Sequence, residues 1–374
     1  MTTRLRLFQK TAFFINIILS IYIMLEVVLQ LSFLVAQTPL QYFISQKATQ
    51  WLIVKPQIGY VSATFLGQTK GFVVQCSELS IPSLEANEPF IEQMNLHLLF
   101  SWQGTLLQTN CSDGHIYLLQ NAQNKKLYEV FRFTKNNKDT AQKNEKRTLP
   151  EMLTFENVRF TQINKAKKNT IRLHLQRINL RLLTQLPTIA AEAIGTLKVI
   201  QFSFNRFAPK NDFLREQQVQ LYLNIQYVPQ VNYILITTQQ LEINKVDCEA
   251  NMRINMDTTR AYELEARTHN ISLFQGLKML PDRIQRLFKG YEAEGFFDVY
   301  LNIEGNLKPD NSPRIRANFT CQKNTLVYVP LKDTLKNLQI EGFFANYQLS
   351  QPKNIGLKKQ QPITKQKNCK YNFL

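Results

Sequence analysis

The chain has 374 residues, a net charge of +17, 44% hydrophobic residues and five cysteines, enough to bury a core as two domains or one elongated one. Its positive excess sits in local runs (Arg4, Arg6 and Lys10; Lys165, Lys167 and Lys168; Lys353 to Lys370). These read as solvated ends and turns, and with no recognition helix, zinc finger or RNA-binding signature they argue against a nucleic-acid partner.

Residues 1–36 hold the first organised feature. Thr11–Leu34 is an apolar run long enough to span a hydrocarbon core, which needs ~20 residues, and Asn16, Glu26 and Gln30 interrupt it. A cleaved signal peptide is the competing reading. The length of the run and the lack of a small-x-small site before Gln37 favour an uncleaved transmembrane anchor. Arg4, Arg6 and Lys10 precede it, so the positive-inside rule predicts a cytoplasmic N-terminus and the bulk of the chain on the far side. Residues 37–58 carry Leu40, Phe43, Ile44, Trp51 and Leu52 at a weak helical spacing, a short amphipathic connector.

From Gly59 the apolar period becomes two. Tyr60–Leu66, Gly71–Ile81, Met94–Trp102, Gly114–Leu119 and Leu127–Phe133 read as strands, punctuated by Gly67, Pro82 and Gly104. Phe155–Ile163, Thr170–Leu183, Thr188–Phe204, Val219–Tyr227, Tyr233–Ile243, Asp247–Met256 and Tyr262–Ile271 continue the series. In Thr170–Leu183 the apolar phase slips between Leu175 and Ile178, which flips the inward face unless a bulge absorbs it. Strands that follow one another so directly predict a mostly β fold: residues 59–351 as one long, curled antiparallel sheet, an open half-tube or groove. Within it, 135–149 is a polar, mobile loop. Residues 272–290 form a helical interruption, with Ser272 as cap and Leu273, Leu277, Leu280, Ile284, Leu287 and Phe288 on one stripe. Residues 352–374 are a basic, disordered tail without strand logic, which reads as a truncated or frameshifted end.

One face of this sheet is apolar. Val219, Leu221, Leu223 and Ile225 alternate with Gln220, Asn224 and Gln226. Met252 and Ile254 follow, then Val299, Leu301 and Ile303, Ile315 and Phe319, and Leu338, Ile340 and Phe344. Such a face suits acyl chains, which need shielding from water and no directed polar groups. The same pattern also suits a closed sandwich with no ligand, and the alternation alone leaves both open.

Catalytic chemistry is not written here. GxSxG, GxGxxG, Walker and HExxH patterns are absent, which argues against an enzyme and against a nucleotide cofactor. Cys111 and His115 lack two further ligands at metal spacing, so no metal is expected. Asp113 with His115, and Glu263 with Glu265, are the only acid–base pairs to imagine, in strands or turns where polar residues are ordinary. Cys76, Cys111, Cys248, Cys321 and Cys369 show no disulfide framework. Cys76 and Cys111, read in neighbouring strands, leave one bridge open against buried free thiols.

From about Asn270 to Leu349 the chain resembles the AsmA-like family of bacterial envelope proteins, through LFQGLKMLPDRIQRLF, YEAEGFFDVYLNIEG and SPRIRANFTCQKNTLVYVPLKDTLKNLQIEGFFANYQLS. The anchor followed by a strand series is similar in layout. The resemblance implies an inner-membrane-anchored periplasmic protein with a groove-like sheet related to bridge-type lipid-transfer proteins. It implies phospholipid as the partner and a part in outer-membrane assembly or integrity, with no catalytic residues and no stated protein partner. Members usually continue beyond such a block, whereas this chain turns into IGLKKQQPITKQKNCKYNFL.

Overall fold

A computed structural model of the protein describes residues 2–49, 52–64, 70–85, 89–123, 125–130, 150–166, 169–185, 188–203, 214–258, 260–272, 274–276, 285–286, 289–306, 313–330 and 333–345. The polar run 135–149, the tail 352–374 and most of the helical stretch 272–290 lie outside these residues. The fold is mostly β with few helices. It divides into two compact units, Met1–Leu182 and Leu183–Leu374.

The first unit opens with two helices, α1 (Thr2–Val35) and α2 (Gln37–Ala48). Pro39 separates them, because its ring displaces the carbonyl four residues back, Val35, and it donates no hydrogen bond there. The chain bends by 72° between Leu19–Val35 and Gln37–Ala48. Among the described residues no single helix is long and apolar enough to cross a membrane; the bent pair together meets that test by length and composition only. Along α1 from Leu19, large apolar side chains such as Ile21, Met24, Leu25, Val28 and Leu31 are exposed, while Glu26 is buried. Gln30 Nε2 donates to Glu26 Oε1 at 2.9 Å.

The same helical face grips the edge of the sheet. Among the described residues, strand β1 (Tyr60–Thr64) pairs with a strand on one side only, β2 (Gly71–Pro82). Its other edge is met by a row of glutamines. Gln30 Nε2 donates to the Ala63 carbonyl at 2.6 Å. Gln37 donates to the Val61 carbonyl and its Oε1 accepts the Val61 N–H at 2.9 Å. Gln41 donates to the Gly59 carbonyl, and Ser45 Oγ to the Pro56 carbonyl at 3.2 Å. A strand edge is a ready template for pairing with another chain, and here side-chain amides occupy the positions a neighbouring strand would take.

β2 pairs with β3 (Pro89–Ser101), and β3 with β4 (Leu106–Ser112) and β5 (His115–Gln120). These last two run in line along one side of β3, broken only by the turn at Asp113, whose φ is 57°. β6 (Met152–Asn164) then pairs with both β4 and β5 in parallel, and β7 (Asn169–Gln185) closes antiparallel on β6. The sheet is therefore mixed, which corrects the expectation of antiparallel neighbours throughout. Parallel pairing needs a crossover of a dozen or more residues, and the stretch between Gln120 and Met152 supplies that length. Of the expected strand Leu127–Phe133, residues 131–133 lie outside the described ones, and over 127–130 the expectation is corrected. Leu127 and Val130 are not strand residues but buried plugs, 1% and 0% exposed, with Val130 in the core cluster of Leu52, Ile81 and Phe90. The phase slip in β7 is matched in its partner: Leu175 pairs with Val158 and Ile178 with Phe155, while Asn157 between them takes a φ of 54°.

Cys76 and Cys111 face the same way but are not neighbours. Leu96 of β3 pairs with each, so two strand spacings, about 9.6 Å, separate them, beyond the ~7 Å that a bridge can span. Both are free, buried thiols. Burial pushes the Cys76 thiol up, and that of Cys111 up to about 11 from 9.0. Native alkylation at pH 8 should therefore run about 100-fold slower at Cys111 than in denaturant, for lack of thiolate. Because the folded value is the raised one, Cys111 favours the fold below the unfolded value of 9.0, and that contribution is lost as pH climbs toward about 11.

The second unit is antiparallel in every pairing described. Its strands are β8 (Thr188–Ser203), β9 (Leu214–Val228), β10 (Tyr233–Ile243), β11 (Val246–Asn255), β12 (Ala261–Ser272), β13 (Tyr291–Glu294), β14 (Phe296–Asn306), β15 (Arg314–Tyr328) and β16 (Asp333–Ala345). They run in the order β8-β9-β10-β11-β12-β14-β15, with β13 beside the second half of β15 and β16 along its other side. β13 and β14 are consecutive pieces of one rail, interrupted at Gly295, whose φ of 121° is open only to glycine.

Candidate functional site

Directly paired residues in adjacent strands point to the same side of a sheet, so the register states which side chains share a face. In the second unit one row reads Ala191, Ile225, Ile236, Met252, Leu264, Ile303, Ile315 across β8, β9, β10, β11, β12, β14 and β15. A second reads Ala266, Leu301, Ala317 and a third Thr268, Val299, Phe319. Val219, Leu221, Leu223 and Ile254 belong to the same face by alternation and pairing. By backbone register Ile340 pairs with Cys321 and Phe344 with Ala317, and Leu338 lies two residues before Ile340. All the residues expected to line the apolar face thus fall on one side; those of β16 are placed by backbone register alone.

The opposite side carries the charge. There the rows read Gln226, Leu235, Arg253, Glu263, Glu304, Arg314 and Asn224, Thr237, Asn251, Glu265, Asn302, Arg316. Arg267 Nε pairs with Glu249 Oε2 at 3.0 Å, and the Tyr300 hydroxyl donates to Glu265 Oε1 at 2.9 Å. Among the described residues from Ile189 to Cys321, Arg215, paired with Gln201 near the start of β9, has a register position on the apolar side, while the charges of the rows from Ala191 to Ile315 lie opposite. Its titratable groups include Cys248 and Tyr262. Desolvation pushes the first up to about 11 and raises the second, so both stay neutral at ordinary pH.

Two glycines let aromatic rings lie down on this face. A β-carbon at Gly342 would sit 2.2 Å from the Phe319 ring, and one at Gly305 2.9 Å from Cζ of Tyr262. Each ring covers the glycine directly across from it, which seals the backbone with apolar surface.

The face is only partly shielded. Ala193, Val219, Val246, Ile271, Ile315 and Cys321 are buried, most of the others are half-buried, and Phe319 is 36% exposed. In the first unit apolar side chains gather into two buried clusters, one around Val130 and one around Val158. Among the described residues the second unit has no comparable cluster. At the β12–β14 end, a short helical piece begins where Ser272 Oγ accepts the Gln275 N–H at 3.2 Å, an N-cap bond, and donates to Gln275 Oε1. Gly276 there sits against the Phe297 ring.

The other pairs considered from the sequence do not converge. Cys111 packs with Met94 and Val158, whereas His115 bonds Thr161 on the opposite face, at 2.8 Å. Asp113 accepts from Asn157 at 2.7 Å. Glu263 and Glu265 stand exposed on the charged face. Among the described residues no three His, Cys, Asp or Glu side chains come together as a metal site.

Periodicity underestimated the site. Ile234, Ile236, Leu241 and Ile243 of β10 share the face, but the bulge between Thr238 and Gln240 breaks their alternation. Leu264 and Phe297 share it too, each visible in the alternation of its own strand. Compared with protein-family models, with curated proteins and with solved structures, the chain matches none.

Proposed function

We propose that the protein is a membrane-anchored envelope protein that holds or transfers phospholipid acyl chains in a groove floored by the apolar face of β8–β16. The observation that carries this reading is the uncharged row from Ala191 to Ile315, with the described charges of those strands on the other side except for Arg215 near the start of β9. Six strand spacings make that row roughly 29 Å along the sheet. Half of a ~30 Å hydrocarbon core is ~15 Å, so the row accommodates the chains of a phospholipid with room to spare. Burying a chain of ~16 carbons gains on the order of 12 kcal/mol at ~0.8 kcal/mol per methylene, before ordering costs.

The half-exposed state of the floor supports a groove over a closed sandwich, whose facing layers bury their inner residues. Apolar side chains exposed along Leu19–Val35 support the anchor, and the basic residues ahead of it favour a cytoplasmic N-terminus with the sheet in the periplasm. The resemblance of residues 270–349 to the AsmA-like family points the same way, to inner-membrane attachment and a role in outer-membrane assembly or integrity.

The test is chemical. The full chain, purified in a detergent that does not resemble phospholipid, is extracted and its lipid measured by mass spectrometry against protein. Near-stoichiometric phospholipid is expected. Its absence from protein that is folded by circular dichroism would sink the proposal and favour a scaffold.

A further inference from the structure

We infer that α2 is a surface-lying helix that docks on the anionic headgroups of the bilayer and seats the first edge of the sheet there. The inference rests on the membrane-anchored reading and adds a second, separate membrane contact to it. Three observations carry it. The 72° bend at Ala36 turns α2 away from α1, so an α1 near the membrane normal leaves α2 close to the membrane plane.

The second observation is the fixed roll of α2. Gln37, Gln41 and Ser45, spaced by four, all bond backbone groups from Pro56 to Val61, so the far side of the helix cannot turn inward. That far side carries Tyr42 and Phe43, 61% and 55% exposed, and Ile53 just beyond the helix is exposed too.

The third observation is charge. Lys47 lies over the Phe43 ring and Lys55 over the Tyr42 ring, each 5.7 Å from the centroid. No acidic residue occurs between Glu26 and Glu78, while Lys47, Lys55 and Lys70 do. Aromatic rings at headgroup depth beside lysines that reach phosphate are the chemistry of a bilayer interface. The surface is continuous along the chain with the exposed apolar side chains of Leu19–Val35, which a soluble protein partner does not require.

The full chain in nanodiscs provides the test. A spin label carried on a non-natural amino acid is introduced in turn at positions 28, 43 and 123, leaving the native thiols untouched. Accessibility to a water-soluble nickel reagent is read in phosphatidylcholine with phosphatidylglycerol and in phosphatidylcholine alone. Position 28 should be shielded, and position 43 several-fold less accessible than position 123 in the anionic discs. With K47E and K55E the docking equilibrium constant should fall at least about fivefold per lysine, since each change removes a positive charge and adds a negative one. If 28 is shielded but 43 is as accessible as 123, the surface contact is refuted while the anchor stands, and the aromatic face goes to a protein partner. If 28 is itself open to water, both readings fall. Shielding at 43 that ignores phosphatidylglycerol and both lysines overturns the anionic docking.

Discussion

Placing charge in the floor with Leu223→Asp and Ile303→Asp together should strip the protein of lipid while leaving it folded. Leu223 pairs with Ala193 and Thr238, and Ile303 with Leu264 and Ile315, all on the uncharged side. Both side chains are half-buried, so in the empty protein each carboxylate keeps contact with water. Against an acyl chain it does not, and an unpaired charge facing hydrocarbon costs several kcal/mol. Recovered phospholipid should drop at least about tenfold, which requires only ~1.4 kcal/mol, with little change in melting temperature. Glu263→Ala on the opposite face should leave lipid content as it was. In a closed sandwich the outcome differs: two buried charges would use up much of a domain's ~5–15 kcal/mol and unfold it. A folded double variant that still carries its full lipid would remove these positions from any groove.

The second large effect concerns the edge of the first strand. Gln37→Leu removes both a donor to the Val61 carbonyl and the acceptor of the Val61 N–H. A buried donor left without a partner costs about 1–3 kcal/mol. Hydrogen exchange at the Val61 amide should therefore quicken by about 5- to 150-fold, read by mass spectrometry on the peptide covering β1, while peptides of β9–β12 stay unchanged. Gln37→Glu retains the acceptor for the N–H and should recover part of the protection. Unchanged exchange at Val61 in Gln37→Leu would mean that the glutamine row does not hold this edge.

Strand positions were legible because a half-buried strand writes period two into its residues. Tyr233–Ile243 reads from the sequence with the bounds it has, and Val219–Tyr227 and Val299–Ile303 read with their faces correctly opposed. The helical cap was legible too, since Ser272 and Gln275 stand at the spacing of an N-cap bond. Less legible were features that depend on partners distant in the chain. The parallel pairing of β6 with β4 and β5 leaves no local signature, because parallel and antiparallel strands use the same residues. Leu127 and Val130 had the composition of a strand, but the pocket among Leu52, Ile81 and Phe90 took Val130 as a plug. Cys76 and Cys111 read as lying in neighbouring strands, but the sequence shows no strand at Leu106–Ser112, and in the fold Leu96 of β3 stands between them.

Alternation from Val219 to Phe319 was enough to predict that the chain makes a sheet with one greasy side, since hydrophobic burial and strand geometry act residue by residue. Register across nonadjacent strands, however, is a long-range property. Tertiary pairing alone brought Ala191, Ile225, Ile236, Met252, Leu264, Ile303 and Ile315 into a single row and put the charges of the neighbouring rows behind it. The same holds for the glutamines of α1 and α2. In the sequence Gln30 interrupts an apolar run and Gln37 and Gln41 are polar residues of a connector, and their role exists only because the fold brings the free edge of β1 within hydrogen-bond reach.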